Sequence, residues 1–199
     1  MDERIKKQFD FILEADKEKK IERQTYISDA SRHENDSEHA WHMALMTILL
    51  SEHSNEKIDV LKTVTMILFH DIVEVDAGDT YCYDPIARST QAKREKAAAE
   101  RLYGLLPEDQ GKKLKALWEE FEECKTPEAK FARTMDNIQP LMLNAATNGK
   151  SWQEHSVKLG QIMERNRKTP NGSKALWEYS YENFIKPNLQ LGRIIPDEE

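Results

Sequence analysis

His70 and Asp71 close an apolar run, Val64 to Phe69, and an ionisable pair against such a run needs a physical reason. Charge taken out of water is costly unless it is paired, hydrogen-bonded or bound to a metal. Imidazole and carboxylate groups hold a divalent ion when three or four of them converge on one point. Neighbours on a helix point about 100° apart, but at a helix end two adjacent side chains can reach one ion from different sides. The plain alternative is a helix terminus, with His70 serving the last carbonyls and Asp71 capping the next segment.

Further candidates lie elsewhere in the chain. His39 sits in the first turn of an earlier apolar segment and shares a face with Met43 and Met46, which predicts an inward-looking imidazole. His42 competes for the same role, and both could ligate, since residues three apart are helix neighbours. Asp136 borders the stripe Phe131, Met135, Ile138 and Met142. Pro140, four residues on, removes the amide that would bond the Asp136 carbonyl, so a kink is predicted there. Glu74 follows Asp71 by three and His70 by four. If the helical path continues it stands beside any ion they hold, where a carboxylate suits acid–base work; otherwise it is a surface Glu. Asp76 and Asp79 flank Gly78 in a stretch that reads as a loop, where Asp is common. Arg133, one turn before Asp136, faces either a phosphate or a surface ion pair. His33, His53 and His155 have no partner pattern and read as surface residues.

These groups need helices to position them. Ile5, Phe9, Ile12 and Leu13 predict a first helix over about 2–17. No clear period runs through 24–34. Asn35 with Glu38 three residues later reads as a capping box, opening a helix to about Ser51 that is apolar nearly all round and hence central. Leu61–Phe69 forms another apolar segment. Helices follow over about 91–106, then from Pro107, then from the Thr126 cap with Pro127 in the first turn to about Ala146. Ser151 to Ile162 and about Lys174 to Ile185 complete the set. No strand alternation stands out, and the fold class is all-α.

The 199 residues suit one domain with a sizeable core. Hydrophobic residues are 39% and charged residues 33%. A net charge of −7 argues against a protein that coats nucleic acid, but leaves a small nucleotide open. Cys82 and Cys124 do not make a disulfide framework. The sequence 1–7 lacks the apolar core of a signal peptide, and no apolar run is long enough for a bilayer, so the cytosol is the default and no membrane partner is expected.

His39, His70-Asp71 and Asp136, in that order, resemble the pattern of the HD-domain metal-dependent phosphohydrolases. The segments Glu34-Asn-Asp-Ser-Glu-His39, His70-Asp-Ile-Val-Glu74, Gly78-Asp79 and Ala129-Lys-Phe-Ala-Arg-Thr-Met-Asp136 are similar to the branch that holds the 5′-deoxynucleotidases, as are Leu105-Leu-Pro-Glu108 and Leu117-Trp-Glu-Glu-Phe121. The similarity spans about Arg23 to Arg165. It implies a single compact HD-domain helical bundle over 1–199, with its core over about 23–165 and a C-terminal helix over about 174–186 packed on it.

The resemblance implies one divalent ion between central helices, held by His39, His70, Asp71 and Asp136, with Glu74 and Asp79 as catalytic groups and Arg23 on the substrate phosphate. It thereby selects His39 over His42. Two departures stand out: Arg23-Gln-Thr-Tyr26 replaces an Arg-Thr-Gly-Trp pattern, and Asp79-Thr-Tyr-Cys-Tyr-Asp84 lacks the usual proline. They leave the choice of sugar and base open. The expected reaction is hydrolysis of (deoxy)nucleoside 5′-monophosphates, with Arg133 as a second phosphate contact and Mn, Co, Fe or Zn as the ion. The rivals are a phosphohydrolase of triphosphates, cyclic nucleotides or alarmones, and a non-catalytic helical module that retains the metal. The aromatics Trp177, Tyr179 and Tyr181 either pack a homodimer or seat the last helix on the core.

Overall fold

The computed structural model of the chain describes residues 2–197. Helix α1 (Glu3–Ala15) starts at Asp2, whose side chain accepts from the Arg4 and Ile5 amides. Of its residues only Phe11 is buried, against the rings of Phe69 and Tyr103. Ile5, Phe9, Ile12 and Leu13 face outward instead.

A short 3-10 turn over Asp16–Lys20 leads into β1 (Glu22–Tyr26), which pairs antiparallel with β2 (His33–Asn35); Glu22 stands opposite Asn35 and Tyr26 opposite His33. This hairpin corrects the expectation that no strand forms. Its strands are five and three residues long and almost wholly polar, too short for a two-residue period to stand out. The hairpin matters because Arg23 sits on it.

Helix α2 (Asp36–Leu50) carries the expected capping box: the Glu38 amide donates to Asn35 Oδ1 at 3.0 Å, and Glu38 Oε2 accepts from the Asn35 amide at 3.1 Å. One face buries Asp36, His39, Ala40, Met43 and Met46. The helix is not buried all round, however: Trp41, Leu45, Ile48 and Leu49 lie open on its other side. Asp59 caps α3 (Val60–His70), and Asp71 ends it. The chain turns at once into α4 (Glu74–Ala77), so Glu74 opens a new helical turn rather than extending the old one. Gly78 follows with φ 73°, a conformation that carries no steric cost for glycine.

Asp84 caps α5 (Pro85–Tyr103), which begins earlier than the start expected near residue 91. Pro107 precedes α6 (Glu108–Glu123) as its cap residue rather than lying within the first turn. Thr126 and Pro127 start α7 (Pro127–Ala146) as expected, and it runs as one helix with Pro140 inside it. The segment expected as one helix from Ser151 is two, α8 (Lys150–Glu154) and α9 (Leu159–Asn166). Helix α10 (Lys174–Ser180), a π turn over Tyr181–Ile185 and α11 (Lys186–Gln190) close the fold.

Met43, Met46, Met66, Ile67, Phe121, Phe131, Met135 and Ile138 join α2, α3, α6 and α7 in one apolar cluster. Burial of each such side chain stabilises by roughly 1.5–3 kcal/mol. A second cluster gathers Phe11, Ile72, Leu102, Tyr103 and Trp118. A third holds Leu141, Trp152, Ile162, Ile185 and Ile194, with Trp177 and Tyr181 packed against it. Those two aromatics therefore seat the C-terminal helices on the body of the fold, and only Tyr179 of the three is exposed. Among the described residues no helix is long and apolar enough to cross a membrane.

Candidate metal centre

Two histidines are held by the same device on two different helices. His39 Nδ1 lies 2.9 Å from Gln139 Oε1, and His70 Nδ1 lies 2.7 Å from the Ile67 carbonyl. Both partners are acceptors, so each Nδ1 carries a proton and each Nε2 is the nitrogen left to take a metal ion or a second proton. Gln139 cannot turn round, because its amide nitrogen donates to Glu34 Oε2 at 2.8 Å and to His42 Nδ1 at 3.2 Å. His42 thus lies on the far side of Gln139 from the other imidazole. His70 is further fixed edge-on against the Phe121 ring, 4.7 Å between centroids.

The free nitrogens meet carboxylates. His39 Nε2 is 3.4 Å from Asp136 Oδ1, and ligand atoms of His39, His70 and Asp136 all fall within 4.8 Å of one another. His70 Nε2 is buried and forms no hydrogen bond, although Asp71 Oδ1 stands only 2.9 Å away. The proximity is real but the alignment is wrong for donation. Donors about 2.1 Å from a common ion sit roughly 3 Å apart, so an orphaned buried nitrogen beside a carboxylate oxygen fits a divalent metal ion. His39, His70 and Asp136 are almost fully buried, and Asp71 is largely so.

Electrostatics point the same way. Burial, helped by the Arg23 charge, pushes His39 down to a pKa of about 4, so it is a neutral ligand. Burial opposes charge on His70 too, but Asp71, Asp136 and the Ile67 carbonyl outweigh it and raise its pKa to about 9. A field that holds a proton so firmly also favours a cation, which displaces that proton. Burial works against ionised Asp136, yet Arg165, His39 and Arg133 hold it well below the usual carboxylate range.

A second group of carboxylates, Asp36, Asp71 and Glu74, adjoins the first. Arg23 already spans it, with Nη1 3.1 Å from Asp36 Oδ1 and 3.2 Å from Asp71 Oδ2, and Nε 3.7 Å from Glu34 Oε1. Burial and the neighbouring Asp71 raise the proton affinity of Glu74, and burial raises that of Asp79. Both line one cavity with Arg23, His70, Asp71 and Asp136. Arg133 also reaches this cavity, but it pairs with Glu122 at 2.9 Å and Asp136 at 3.3 Å and lies 3.9 Å over the Phe121 ring.

Seven of the eight site residues expected from the sequence line one cavity, and the eighth, His39, lies behind it in contact with Asp136. Others were not foreseen. Gln139 and Glu34 orient His39, and Asp36 holds Arg23. Gln139 was legible in principle, since it follows Asp136 by three on the same helix. Arg165, on α9, contacts Asp136 Oδ2 at 3.1 Å, and no local pattern announces it. His155 is exposed as expected, with its Nε2 3.1 Å from Gln24 Oε1 and its ring 4.6 Å from Tyr81.

Residues 15–177 match the sequence model of the HD domain. Among curated relatives, the 5′-deoxynucleotidase HDDC2 of Bos taurus is 36% identical over 110 residues, covering 55% of this chain and 52% of that protein. The human 5′-deoxynucleotidase HDDC2 is 32% identical over 114 residues, 57% and 54% of the two chains. The matches span about half the length of these curated relatives. A solved structure, described as a predicted metal-dependent phosphohydrolase from Magnetospirillum magnetotacticum MS-1, is 40% identical, covers 97% of this chain and 96% of that one, and superposes with a TM-score of 0.92. A conserved hypothetical protein of Pyrococcus furiosus shares the fold at 19% identity, with a TM-score of 0.62.

Proposed function

The chain belongs to the HD-domain family, and from that premise we propose that it is a phosphohydrolase of (deoxy)nucleoside 5′-monophosphates. The observation that carries the proposal is the pair of Nδ1-anchored imidazoles, His39 and His70, whose Nε2 atoms face Asp136 and Asp71 beside an arginine-lined cavity. The relatives named 5′-deoxynucleotidase support a nucleoside monophosphate as substrate.

In this reading His39, His70, Asp71 and Asp136 hold one divalent ion. When bound, such an ion supplies Lewis-acid polarisation of a phosphoryl oxygen and makes water more acidic. Mixed imidazole and carboxylate donors suit Mn, Co, Fe or Zn. Glu74, which lines the cavity with Asp71, takes the proton of the attacking water in its ionised form. Asp79, whose burial favours the protonated form, gives a proton to the departing nucleoside oxygen. Arg23 stays charged between its carboxylates and draws the phosphate inward, with Arg133 behind it. Phosphate release from a panel of deoxy- and ribonucleoside 5′-monophosphates by the metal-loaded protein tests the reading; no release from any of them contradicts it.

We further propose a homodimer, supported by the apolar side of α2. Trp41 is 63% exposed, and Leu45, Ile48 and Leu49 continue its stripe. Apolar patches of this kind on a soluble chain mark interaction surfaces. The thiols of Cys82 and Cys124 are unbridged, which supports a reducing compartment such as the cytosol.

A further inference from the structure

We propose that Arg165 binds the substrate phosphate, a role no sequence motif assigns to it; the inference rests on the nucleotidase reading above. Three guanidinium groups line the cavity: Arg23, Arg133 and Arg165. They differ in what already holds them. Arg23 is shared among Asp36, Asp71 and Glu34. Arg133 is divided between Glu122 and Asp136 and covered on one face by Phe121. Arg165 has one ion pair among the described residues, to Asp136 Oδ2 at 3.1 Å. A guanidinium carries five N–H donors in a planar fork, so most of this fork is left for a ligand.

The position is also fixed in advance. The residue after Arg165, Asn166, is buried and donates to the Ile162 carbonyl at 2.9 Å. Its Oδ1 accepts from Thr169 Oγ1 at 3.2 Å, and Thr169 Oγ1 accepts from Asn137 Nδ2 at 2.9 Å. This buried chain ties the end of α9 to α7 one residue away from Asp136. The backbone that carries Arg165 is therefore ordered before a ligand arrives, which lowers the entropic cost of binding. The guanidinium takes Oδ2 of the carboxylate whose Oδ1 faces His39 Nε2. It thus lies one hydrogen bond from the ligand cluster, where a phosphoryl group must come.

The cavity needs such a cation. Asp71, Glu74, Asp79, Glu95, Glu122 and Asp136 all line it, and a phosphate dianion entering among them is repelled unless free donors meet it. A planar fork suits phosphate oxygens in pairs. Of the three, Arg165 has the fewest carboxylate partners, one against three for Arg23 and two for Arg133.

The test compares Arg165→Gln and Arg165→Lys with the unaltered protein in three measurements: metal content, affinity for inorganic phosphate by calorimetry, and kcat with KM for a nucleoside 5′-monophosphate. The expected result is unchanged metal stoichiometry in both variants. For Arg165→Gln, the Kd for phosphate and the KM rise about tenfold or more, with partial recovery in Arg165→Lys. Phosphate affinity and KM within about twofold of the unaltered protein overturn the inference. So does loss of metal in step with loss of phosphate, which makes Arg165 a support for Asp136 only. If the unaltered protein binds phosphate but hydrolyses no monophosphate, the nucleotidase reading fails, and the calorimetric arm still decides the role of Arg165.

Discussion

The Nδ1 atom of His39 and the Oε1 atom of Gln139 are 2.9 Å apart in the core, between residues separated by 100 positions. This one bond sets the tautomer of His39 and aims its Nε2 at Asp136. Partners of this kind tune metal affinity through the ligand they orient. Gln139→Leu keeps the volume but frees the imidazole. It is expected to lower metal affinity by about 10- to 100-fold with the fold intact by circular dichroism. Unchanged affinity in a metal titration counts against this role.

Glu74 and the metal ligands are separable by their failures. Glu74→Gln is expected to keep full metal content and to reduce kcat by about 100-fold or more, because it removes a proton acceptor and no ligand. A near-normal rate takes Glu74 out of the reaction.

Glu18 gives a pH signature. It is buried with Oε1 unbonded, and burial together with Asp71 and Asp36 raises its pKa from 4.5 to about 8. Folding then favours the protonated form. Below about pH 4.5 the group is neutral in both states and costs nothing; as pH rises towards 8 stability is progressively lost. Glu18→Gln is therefore expected to raise the melting temperature at pH 9 by something on the order of 5 °C and to change it much less at pH 4.5. Equal shifts at both values contradict the assignment.

The open face of α2 predicts an association state. Sedimentation equilibrium should give a dimer for the unaltered protein and a folded monomer for Ile48→Lys combined with Trp41→Ser. A monomeric unaltered protein removes the proposal.

The helices were legible because their signals are local. The Asn35/Glu38 box and the Thr126-Pro127 start each lie within a few residues of the element they begin, and both formed as read. The mainly helical architecture followed from local periodicity, whereas the set His39, His70, Asp71 and Asp136 came from the resemblance to the HD-domain pattern, since spacing alone left His39 and His42 open. The β1–β2 hairpin was missed because three- and five-residue polar strands show no period. The open side of α2 was misread because apolarity all round looks alike whether a neighbour or solvent lies beyond. Arg165 and the Asp36–Arg23 pair depend on contacts between distant segments, and no spacing rule reaches them.

One ion, held partly by His39, is in this reading the seat of phosphate release. Its most direct test measures metal per chain and phosphate release from a deoxynucleoside 5′-monophosphate on the same preparations of the unaltered protein and His39→Ala. About one ion per chain with turnover is expected in the first, and loss of both together in the second. Stoichiometric metal retained in His39→Ala, or turnover that survives without metal, contradicts it.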